Sequence, residues 1–329
     1  LPKATVGWDV AKERLTLTDS DVVSLSSTEY LPASPYRSRF RQGAILVPRR
    51  LMFVVDGPVN PLGTGAGRIS VTSRVTSGEN APWRDVAPIT ATVERSFVRP
   101  VYLGETVLPF RVINPLRAVL PITDEGILSE EELESYPGLA TWWNAAEDAW
   151  GQHRVPSETA PLLKRFDYHN QLSAQLPSAQ NRVVYTKSAN RLAAARITDP
   201  RAVIDHTLYW AATNTTSEGR YLVGILNSSA IMTRVRPLMA IGLFGPRHID
   251  KMVFRLPIPA YDSANSDHVE LVELVELAEN IAADIDLSES RDFKRSRALV
   301  REAIEKSGLT NKIDSLVERI VPEVSPNHA

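Results

Sequence analysis

The chain has 329 residues, of which 43% are hydrophobic and 23% are charged, and its formal net charge is −2. It contains no cysteine, which excludes disulfide bonds, thiolate metal sites and a cysteine nucleophile. No apolar run reaches the roughly 18 residues of a membrane span, and no charged-then-apolar N-terminus indicates a signal peptide. The sequence therefore predicts a cytoplasmic protein that does not cross a membrane.

The charge alternates strongly along the chain. Residues 1–120 carry +5 and residues 171–255 carry +7, whereas residues 121–170 and 256–329 each carry −7. Arginine outnumbers lysine in both basic segments, and its planar guanidinium suits bidentate contact with phosphate or guanine. The two basic segments permit a nucleic-acid ligand. The composition alone is explained more simply by a solvated surface that carries ion pairs.

The first 120 residues are predicted to be rich in β-structure. Residues 43–55 indicate two short strands separated by Pro48, because proline cannot donate to a strand ladder. Further strands are predicted over residues 90–101 and 106–113. The glycine-rich stretch 63–67 lies in a turn-rich loop, without the preceding strand and the following acidic residue of a dinucleotide site. We therefore assign it no cofactor.

Residues 121–165 are predicted to form an acidic helical insert. Ser129 has the position of an N-cap, and the glutamates after it favour the positive end of the helix dipole. An apolar stripe at spacings of three and four follows, made of Leu139, Trp142, Trp143, Ala146 and Trp150. Tryptophans can stack on nucleic-acid bases, but in an acidic segment we interpret this stripe as core.

The next 100 residues combine strands with one helix. Residues 181–213 are predicted to form an antiparallel meander with a turn at residues 188–190. Residues 202–210 alternate as one strand, with His206 on the apolar face, so we interpret His206 as a hydrogen-bonded core histidine. A helix over residues 221–236 and a strand over residues 252–258 complete this part.

The C-terminal part, residues 263–329, is predicted to be a helical arm. The a- and d-type spacing of a coiled-coil seam is followed by Leu271, Leu274, Ala278, Ile281 and Ile285. A second helix over residues 291–306 ends at Gly308, a residue typical of helix C-termini. Residues 309–320 carry the last apolar stripe.

The sequence contains none of the common catalytic constellations. There is no Gly-x-Ser-x-Gly elbow, no phosphate-binding Walker loop and no His-Glu-x-x-His motif. The six histidines do not have the spacing of metal ligands. The sequence alone therefore assigns no catalytic residue and no metal site.

A succession of short elements resembles a known family. The elements are Gln-Gly-Ala-Ile-Leu-Val-Pro-Arg at 42–49, Arg-Phe-Asp-Tyr-His at 165–169, Gln-Leu-Ser at 171–173, Arg-Val-Val-Tyr-Thr-Lys-Ser-Ala-Asn at 182–190, Tyr-Leu-Val-Gly-Ile-Leu-Asn-Ser at 221–228, Gly-Pro-Arg-His-Ile-Asp-Lys at 245–251 and Leu-Pro-Ile-Pro at 256–259. In this order they resemble the C-terminal target-recognition region of large bacterial N6-adenine DNA methyltransferases. They are also similar to the specificity part of combined restriction–modification enzymes.

The resemblance implies an α+β fold, with a mixed, β-rich target-recognition domain, a helical insert and a C-terminal, coiled-coil-like helical arm. The boundaries expected on this basis are a β-rich N-terminal part over 1–120, the insert over 121–165, a target-recognition core over 166–262 and the arm over 263–329. The implied partner is double-stranded DNA, and the arm is expected to space recognition modules or to join a homodimer or a partner subunit.

The catalytic element of that family is not matched. It has the form Asn/Asp-Pro-Pro-Tyr/Phe, whereas Asn60-Pro61-Leu62-Gly63 and Asn114-Pro115-Leu116-Arg117 lack the second proline and the aromatic residue. A glycine motif for AdoMet is also missing. Because the chain starts at Leu1 rather than at methionine, we expect a methyltransferase domain upstream in the same polypeptide. AdoMet would bind to that domain, and this chain is expected to bind no cofactor and to be non-catalytic by itself.

The candidate DNA-binding residues come from both basic segments. They are Arg37, Arg39, Arg41, Arg49, Arg50, Lys187, Asn190, Arg191, Arg247, His248 and Lys251. Most are expected to contact phosphates, and Asn190 is expected to pair with adenine in the major groove. Asn227 and Ser228 are expected to cap or pack their helix rather than to contact DNA.

Two other classes of function stay open at this stage. One is a protein–protein scaffold that assembles through the seam at 271–285 and has no role with DNA. The other is an enzyme with its own active site, such as a nuclease, although no carboxylate–lysine cluster of suitable spacing supports it. Binding to DNA would distinguish the recognition module from the scaffold.

Overall fold

The computed structural model describes residues 34–58, 63–75, 79–188, 190–236, 241–242, 245–246, 249–288, 290 and 292–322. The first 33 residues of the predicted N-terminal part lie outside this description. The described residues form mixed sheets together with helices, so the predicted α+β class is confirmed.

Strands dominate the first part of the chain and helices dominate the end. The described strands are β1 Arg41–Gln42, β2 Phe53–Asp56, β3 Arg68–Ser73, β4 Thr90–Glu94, β5 Val98–Tyr102, β6 Val107–Leu108, β7 Arg111–Val112, β8 Leu116–Val119, β9 Arg182–Thr186, β10 Ala194–Ile197, β11 Val203–Ile204, β12 Leu208–Ala212, β13 Ile241–Gly242 and β14 Gly245–Pro246. The described helices are α1 Tyr36–Arg39, α2 Glu130–Glu134, α3 Pro137–His153, α4 Leu162–Phe166, α5 Thr216–Asn227, α6 Ser229–Val235, α7 Ser266–Asp284, α8 Phe293–Lys306 and α9 Leu309–Ile320.

A six-stranded sheet and helix α3 enclose the first hydrophobic core. The strand order is β11-β5-β8-β2-β3-β4, and β4 lies against α3. Ser129 caps α2 as predicted, since its hydroxyl accepts a hydrogen bond from the Glu132 amide. The tryptophan stripe of α3 is buried, and Trp142 donates its Nε1 hydrogen to the Leu51 carbonyl at 3.0 Å. The interpretation of this stripe as core is confirmed.

The second sheet joins residues that are far apart in the sequence. Its order is β1-β12-β9-β10, and each neighbouring pair is antiparallel. The predicted meander over residues 181–213 is wrong: β9 and β10 form a hairpin, but β12 pairs with the other edge of β9, because the chain between β10 and β12 first joins the six-stranded sheet as β11. Strand β1 adds an edge from the first basic segment, with Arg41 opposite Trp210. The two basic segments therefore meet in one sheet.

The two sheets are joined side by side. Strand β11 pairs in parallel with β5 of the six-stranded sheet, and Ala44 forms a bridge with Asp205. Gly43 is required at this junction, because a Cβ atom there would lie 2.3 Å from the Asp205 carbonyl oxygen. A small apolar cluster that includes Tyr102 and Trp210 fills the space between the sheets.

Helix α5 packs against the four-stranded sheet, and the C-terminal helices pack on α5. Helix α7 packs against α5 and α9, and Leu271, Leu274 and Ala278 are buried there. Gly224 of α5 permits a close approach, since a Cβ atom would lie 2.7 Å from Cγ2 of Val275. The seam that the sequence assigned to a coiled-coil arm is therefore covered within this chain, because α5 offers it a complementary apolar face.

The strands predicted over 90–101 and 106–113 are each divided into two, β4 with β5 and β6 with β7. Two further predicted elements are divided at a short polar side chain. The strand predicted over 202–210 is split into β11 and β12, because the Asp205 carboxylate accepts hydrogen bonds from the amide and hydroxyl of Thr207 and forms a local turn. The helix predicted over 221–236 is divided at Ser228, whose backbone is extended and whose hydroxyl accepts from the Ala230 amide. Each of these two breaks arises where a short polar side chain bonds to the backbone next to it.

Two other predicted strands are not strands. Residues 43–48 form none, apart from the bridge at Ala44, and a 3₁₀ turn over Arg49–Leu51 leads into β2. Residues 252–258 begin with a 3₁₀ turn over Met252–Arg255 and then run extended without a sheet partner. The apolar residues at these positions pack into the hydrophobic cores. A buried apolar segment does not have to be a strand, and the apolar pattern alone therefore misled the prediction.

The cores do not follow the order of the sequence. Tyr36 and Phe40 belong to the same core as the four-stranded sheet and helices α7–α9. The four domain boundaries expected from the sequence stay a prediction. Among the described residues, no helix is both long and apolar enough to cross a lipid bilayer.

Candidate nucleic-acid interface

Three cations from the two basic segments lie together beside strand β1. Arg37 is on α1, Arg41 is on β1, and Lys251 precedes the 3₁₀ turn that packs against α1. Partial burial, and then the charges of Arg37 and Arg41, lower the pKa of the Lys251 ammonium group. Within the described parts of the chain, the side chains of the two arginines form no hydrogen bond or ion pair. This cluster is therefore available to an anionic ligand.

Lys187 extends the cluster past the end of β9. Its Nζ atom lies 4.0 Å from Oδ1 of Asp250, and its carbonyl accepts a hydrogen bond from the Ile249 amide at 3.0 Å. The Tyr185 hydroxyl donates to the Asp250 carbonyl at 2.6 Å. Burial, and then the neighbouring Tyr209 and Asp250, raise the pKa of Tyr185, so that its hydroxyl remains a donor. These bonds fix residues 249 and 250, which directly precede Lys251, beside the end of β9.

Arg49 and His206 form a wall between two neighbouring concavities. One has a volume of about 420 Å³ and is also lined by Lys187, and the other has a volume of about 650 Å³ and is also lined by Arg154 and Arg165. The side chain of Arg49 is 26% exposed, and its Nη2 atom lies 4.0 Å from Oδ1 of the buried Asp205. Because both concavities are lined by Arg49 and His206, the surface around Lys187 continues into the surface around Arg165.

The position of His206 differs from the sequence prediction. Its Nδ1 atom lies 3.1 Å from Oδ2 of Asp205, so the predicted hydrogen bond exists, but the side chain is 28% exposed and borders both concavities. The reason is the turn at Asp205, which removes His206 from the alternation of a regular strand. His206 is therefore a surface residue of the candidate interface rather than a core residue.

Cations outnumber carboxylates in the lining of the two concavities. The acidic residues there are Glu79, Glu105 and Glu158. Glu79 accepts a hydrogen bond from the Arg50 amide at 3.3 Å, and Glu158 accepts one from the Ala160 amide at 3.0 Å. We call the following set the cationic band: Arg37, Arg41, Lys251, Lys187, Arg49, Arg154 and Arg165.

Two predicted contact residues have structural roles instead. Arg39 pairs with Glu218 at 2.5 Å and donates to the Ala212 carbonyl at 2.9 Å. Burial alone would raise the pKa of Glu218, but hydrogen bonds from Arg39 and from a backbone amide together hold it below its ordinary value of 4.5. Arg50 is 6% exposed and donates to the Val86 carbonyl at 2.9 Å. Neither guanidinium is placed to meet a ligand.

The other predicted residues are divided between the surface and the undescribed part of the chain. Asn190 and Arg191 are exposed on the turn between β9 and β10. Burial, and then the charge of Arg191, lower the pKa of Arg301 to about 10, so Arg191 lies near the C-terminal helices. Arg247 and His248 lie outside the described residues.

Asn227 and Ser228 have the packing and capping roles that the sequence predicts. The Asn227 side chain accepts from the Ala194 amide at 3.0 Å and donates to the Ala194 carbonyl at 2.8 Å. Ser228 caps α6 through the Ala230 amide at 3.2 Å. Asn227 thereby connects the end of α5 to strand β10, and Ser228 fixes the start of α6 directly after it.

Sequence reasoning missed Arg154 and Arg165. Both belong to the acidic segment 121–170, so a count of charge by segment hides them. They approach Arg49 only because α3 and the loop after it pack beside the six-stranded sheet. Within the described residues, no group of three or more His, Asp or Glu side chains could hold a metal ion.

No protein-family model matches the chain, and no curated protein sequence matches it. Among solved structures, 70% of the chain is similar to part of the type IIL restriction–modification enzyme MmeI in complex with DNA, with 10% identity and a TM-score of 0.46. The type IIG restriction endonuclease BpuSI is similar over 93% of the chain, with 14% identity and a TM-score of 0.35. The chain spans 29% and 33% of the lengths of these two proteins.

Proposed function

We propose that this chain is the double-stranded DNA recognition module of an N6-adenine DNA methyltransferase in a restriction–modification or phage-defence system. The cationic band supports this proposal most directly. It joins cations from both basic segments and from the acidic insert into one surface, although they are far apart in the sequence. A row of arginines and lysines is the usual means by which proteins hold the phosphate backbone.

In this proposal the band sets the position of the duplex and a few other residues read the bases. Arg37, Arg41 and Lys251 contact phosphates on one side, and Arg49 with Lys187 contact them on the other. Asn190, exposed on the adjacent turn, carries the amide that pairs bidentately with adenine. Methyl transfer is assigned to a domain of the same polypeptide that binds AdoMet, and this chain contributes binding and orientation.

The scaffold hypothesis is less well supported. It requires the seam at 271–285 to meet another subunit, whereas Leu271, Leu274 and Ala278 already pack inside this chain. The cationic band, by contrast, has no role in that hypothesis. We therefore retain DNA recognition as the proposed function.

The test is fluorescence anisotropy with a mixed-sequence duplex over a salt series. Affinity is expected to fall steeply as salt rises, because each neutralised phosphate contributes about −0.9 to the slope of log K against log salt. The double reversal of Arg37→Glu and Arg41→Glu is expected to weaken binding to all sequences and to flatten the slope by about 2.

The matched control reverses two exposed lysines of the C-terminal helices, Lys306→Glu and Lys312→Glu. This variant has the same net charge as the first one and is expected to bind DNA nearly as the unchanged protein does. Salt-independent binding, no binding at all, or equal losses in both double variants would each contradict the proposed interface.

A further inference from the structure

The concavity of about 650 Å³ contains an aromatic platform that phosphate contacts do not need. The ring of Trp83 stacks on Trp150 with centroids 5.4 Å apart and planes 16° apart, and His153 meets Trp83 edge-on at 6.0 Å. Trp150 is 5% exposed, whereas Trp83 is only partly buried and lines the concavity. One face of the Trp83 ring lies against Trp150, and the exposed part of the ring lines the concavity.

The buried ring of the platform, Trp150, is anchored by the loop that follows α3. The Trp150 Nε1 hydrogen is donated to the Ala160 carbonyl at 2.9 Å, and Arg154 donates to the same oxygen at 3.0 Å. Trp150 therefore cannot turn away without the loss of this bond. A rigid aromatic surface is the feature on which nucleic-acid bases stack, and such stacking tolerates any base because each base has a π face.

Two cations line the same concavity as the platform. Arg49 enters from the wall that the two concavities share, and Arg165 lies over the Tyr168 ring at 5.4 Å. The acidic residues of this concavity, Glu79 and Glu158, accept backbone hydrogen bonds. Its volume lies within the range of about 300–1,000 Å³ that is typical of small-molecule sites.

We infer that this concavity binds one nucleotide whose base is unpaired, with the base stacked on Trp83 and the phosphate held by Arg49 and Arg165. For a nucleotide that belongs to a DNA strand, the inference rests on the proposed function, because the same Arg49 holds the adjacent duplex. The same chemistry also admits a free nucleoside monophosphate. Binding measurements with a bulged duplex and with dAMP distinguish a nucleotide of a DNA strand from a free nucleotide.

The experiment uses three ligands and three proteins. The ligands are a fully paired duplex, the same duplex with one bulged adenine, and dAMP, and binding is measured by anisotropy for the duplexes and by calorimetry for dAMP. The proteins are the unchanged chain, Trp83→Leu and Trp83→Phe, each checked for folding by circular dichroism. Leucine retains an apolar side chain without a π face, and phenylalanine retains a smaller ring.

The unchanged protein is expected to bind the bulged duplex about 10-fold more tightly than the paired one. Trp83→Leu is expected to abolish this preference and leave the affinity for the paired duplex intact, while Trp83→Phe retains most of the preference. Binding of dAMP that also depends on Trp83 would identify a free nucleotide as a second source. If the paired duplex does not bind but dAMP does, the proposed function fails and the nucleotide site stands.

The inference is overturned if neither the bulged duplex nor dAMP shows binding that depends on Trp83. It is also overturned if Trp83→Leu weakens the paired and the bulged duplex by the same factor, because that result assigns Trp83 a general structural role. The Trp83→Phe variant keeps the test decisive if Trp83→Leu does not fold.

Discussion

One buried histidine, His268, is expected to contribute to the pH dependence of this protein's stability. His268 is 3% exposed, and its Nδ1 atom accepts a hydrogen bond from the Asp262 amide at 3.0 Å. Burial lowers the pKa of the imidazole below its ordinary value of 6.5, and the nearby Asp262 opposes this only in part. An imidazolium has no acceptor at Nδ1, so protonation breaks the bond.

The sign of the effect follows from proton linkage. The unfolded chain binds the proton at a higher pH than the folded chain does, so the stabilisation is present above about pH 6.5 and is lost as the pH falls below it. We expect the free energy of unfolding, measured with urea, to decrease on acidification from about pH 7.5 to about pH 5.5. The variant His268→Asn keeps an acceptor but does not titrate, and it should show a shallower decrease.

The exposed His169 supplies the control for this prediction. His169→Asn should leave the pH dependence of the unchanged protein in place. An equally steep decrease in His268→Asn would mean that other groups cause it.

At the scale of the element, helix α3 contains two glycines in opposite environments. A Cβ atom at Gly138 would lie 2.4 Å from the Thr92 carbonyl oxygen of β4, whereas a Cβ atom at Gly151 has nothing within 4 Å. Gly138 also donates its amide to Glu94 at 3.1 Å, which fixes the start of the helix against the sheet. The two glycines therefore test packing and helix propensity separately.

We expect Gly138→Ala to destabilise the protein by about 1–3 kcal/mol, because overpacking forces the helix away from β4. Gly151→Ala should stabilise it by about 0.5–1 kcal/mol, since alanine is the better helix former and nothing obstructs its methyl group. Thermal and urea unfolding of both variants measure the difference. Similar shifts for the two variants would contradict the close approach at Gly138.

The elements that the sequence predicts well are those whose pattern is local. The stripe that includes Trp142 and Trp150 identifies α3, and the cap at Ser129 identifies the start of α2. Strand β1 has only two residues and exists because Trp210 and Tyr209 lie opposite to them. No window around residues 41–42 contains that information.

The candidate site was also predicted only as far as local sequence patterns allow. Segment charge led to the prediction that Arg37, Arg41 and Lys251 belong to the interface, but the sequence could not show that these three lie together. Nor could it show that Arg50 is directed inward, because its acceptor is the carbonyl of Val86, 36 positions away. Which arginines remain at the surface is decided by distant backbone oxygens and carboxylates, and these become neighbours only in the folded chain.

At the scale of the whole molecule, the two sheets are expected to unfold together. They share the β5–β11 pairing, the bridge from Ala44 to Asp205 and the apolar cluster between them. Among the described tryptophans, Trp83, Trp142, Trp143 and Trp150 belong to or pack against the first core, whereas helices α5 and α7–α9 surround the second.

Tryptophan fluorescence therefore reports mainly on the first core, and far-ultraviolet circular dichroism reports strongly on the helices of the second. We expect the two signals to change with the same midpoint and the same dependence on urea. Two separate midpoints would show that the sheets are independent domains. The variant Gly43→Val obstructs the junction between the two sheets. It is therefore the single substitution that we expect to separate the two midpoints most readily.

The pairing of Arg41 with Trp210 also bears on biosynthesis, because these residues are 169 positions apart. Ribosomes add roughly 5–20 residues per second, so β1 waits roughly 10–30 seconds for its neighbour to be made. During that time Tyr36 and Phe40, which end in a core with the C-terminal helices, have no native surroundings. We therefore expect truncated products that stop before residue 208 to aggregate.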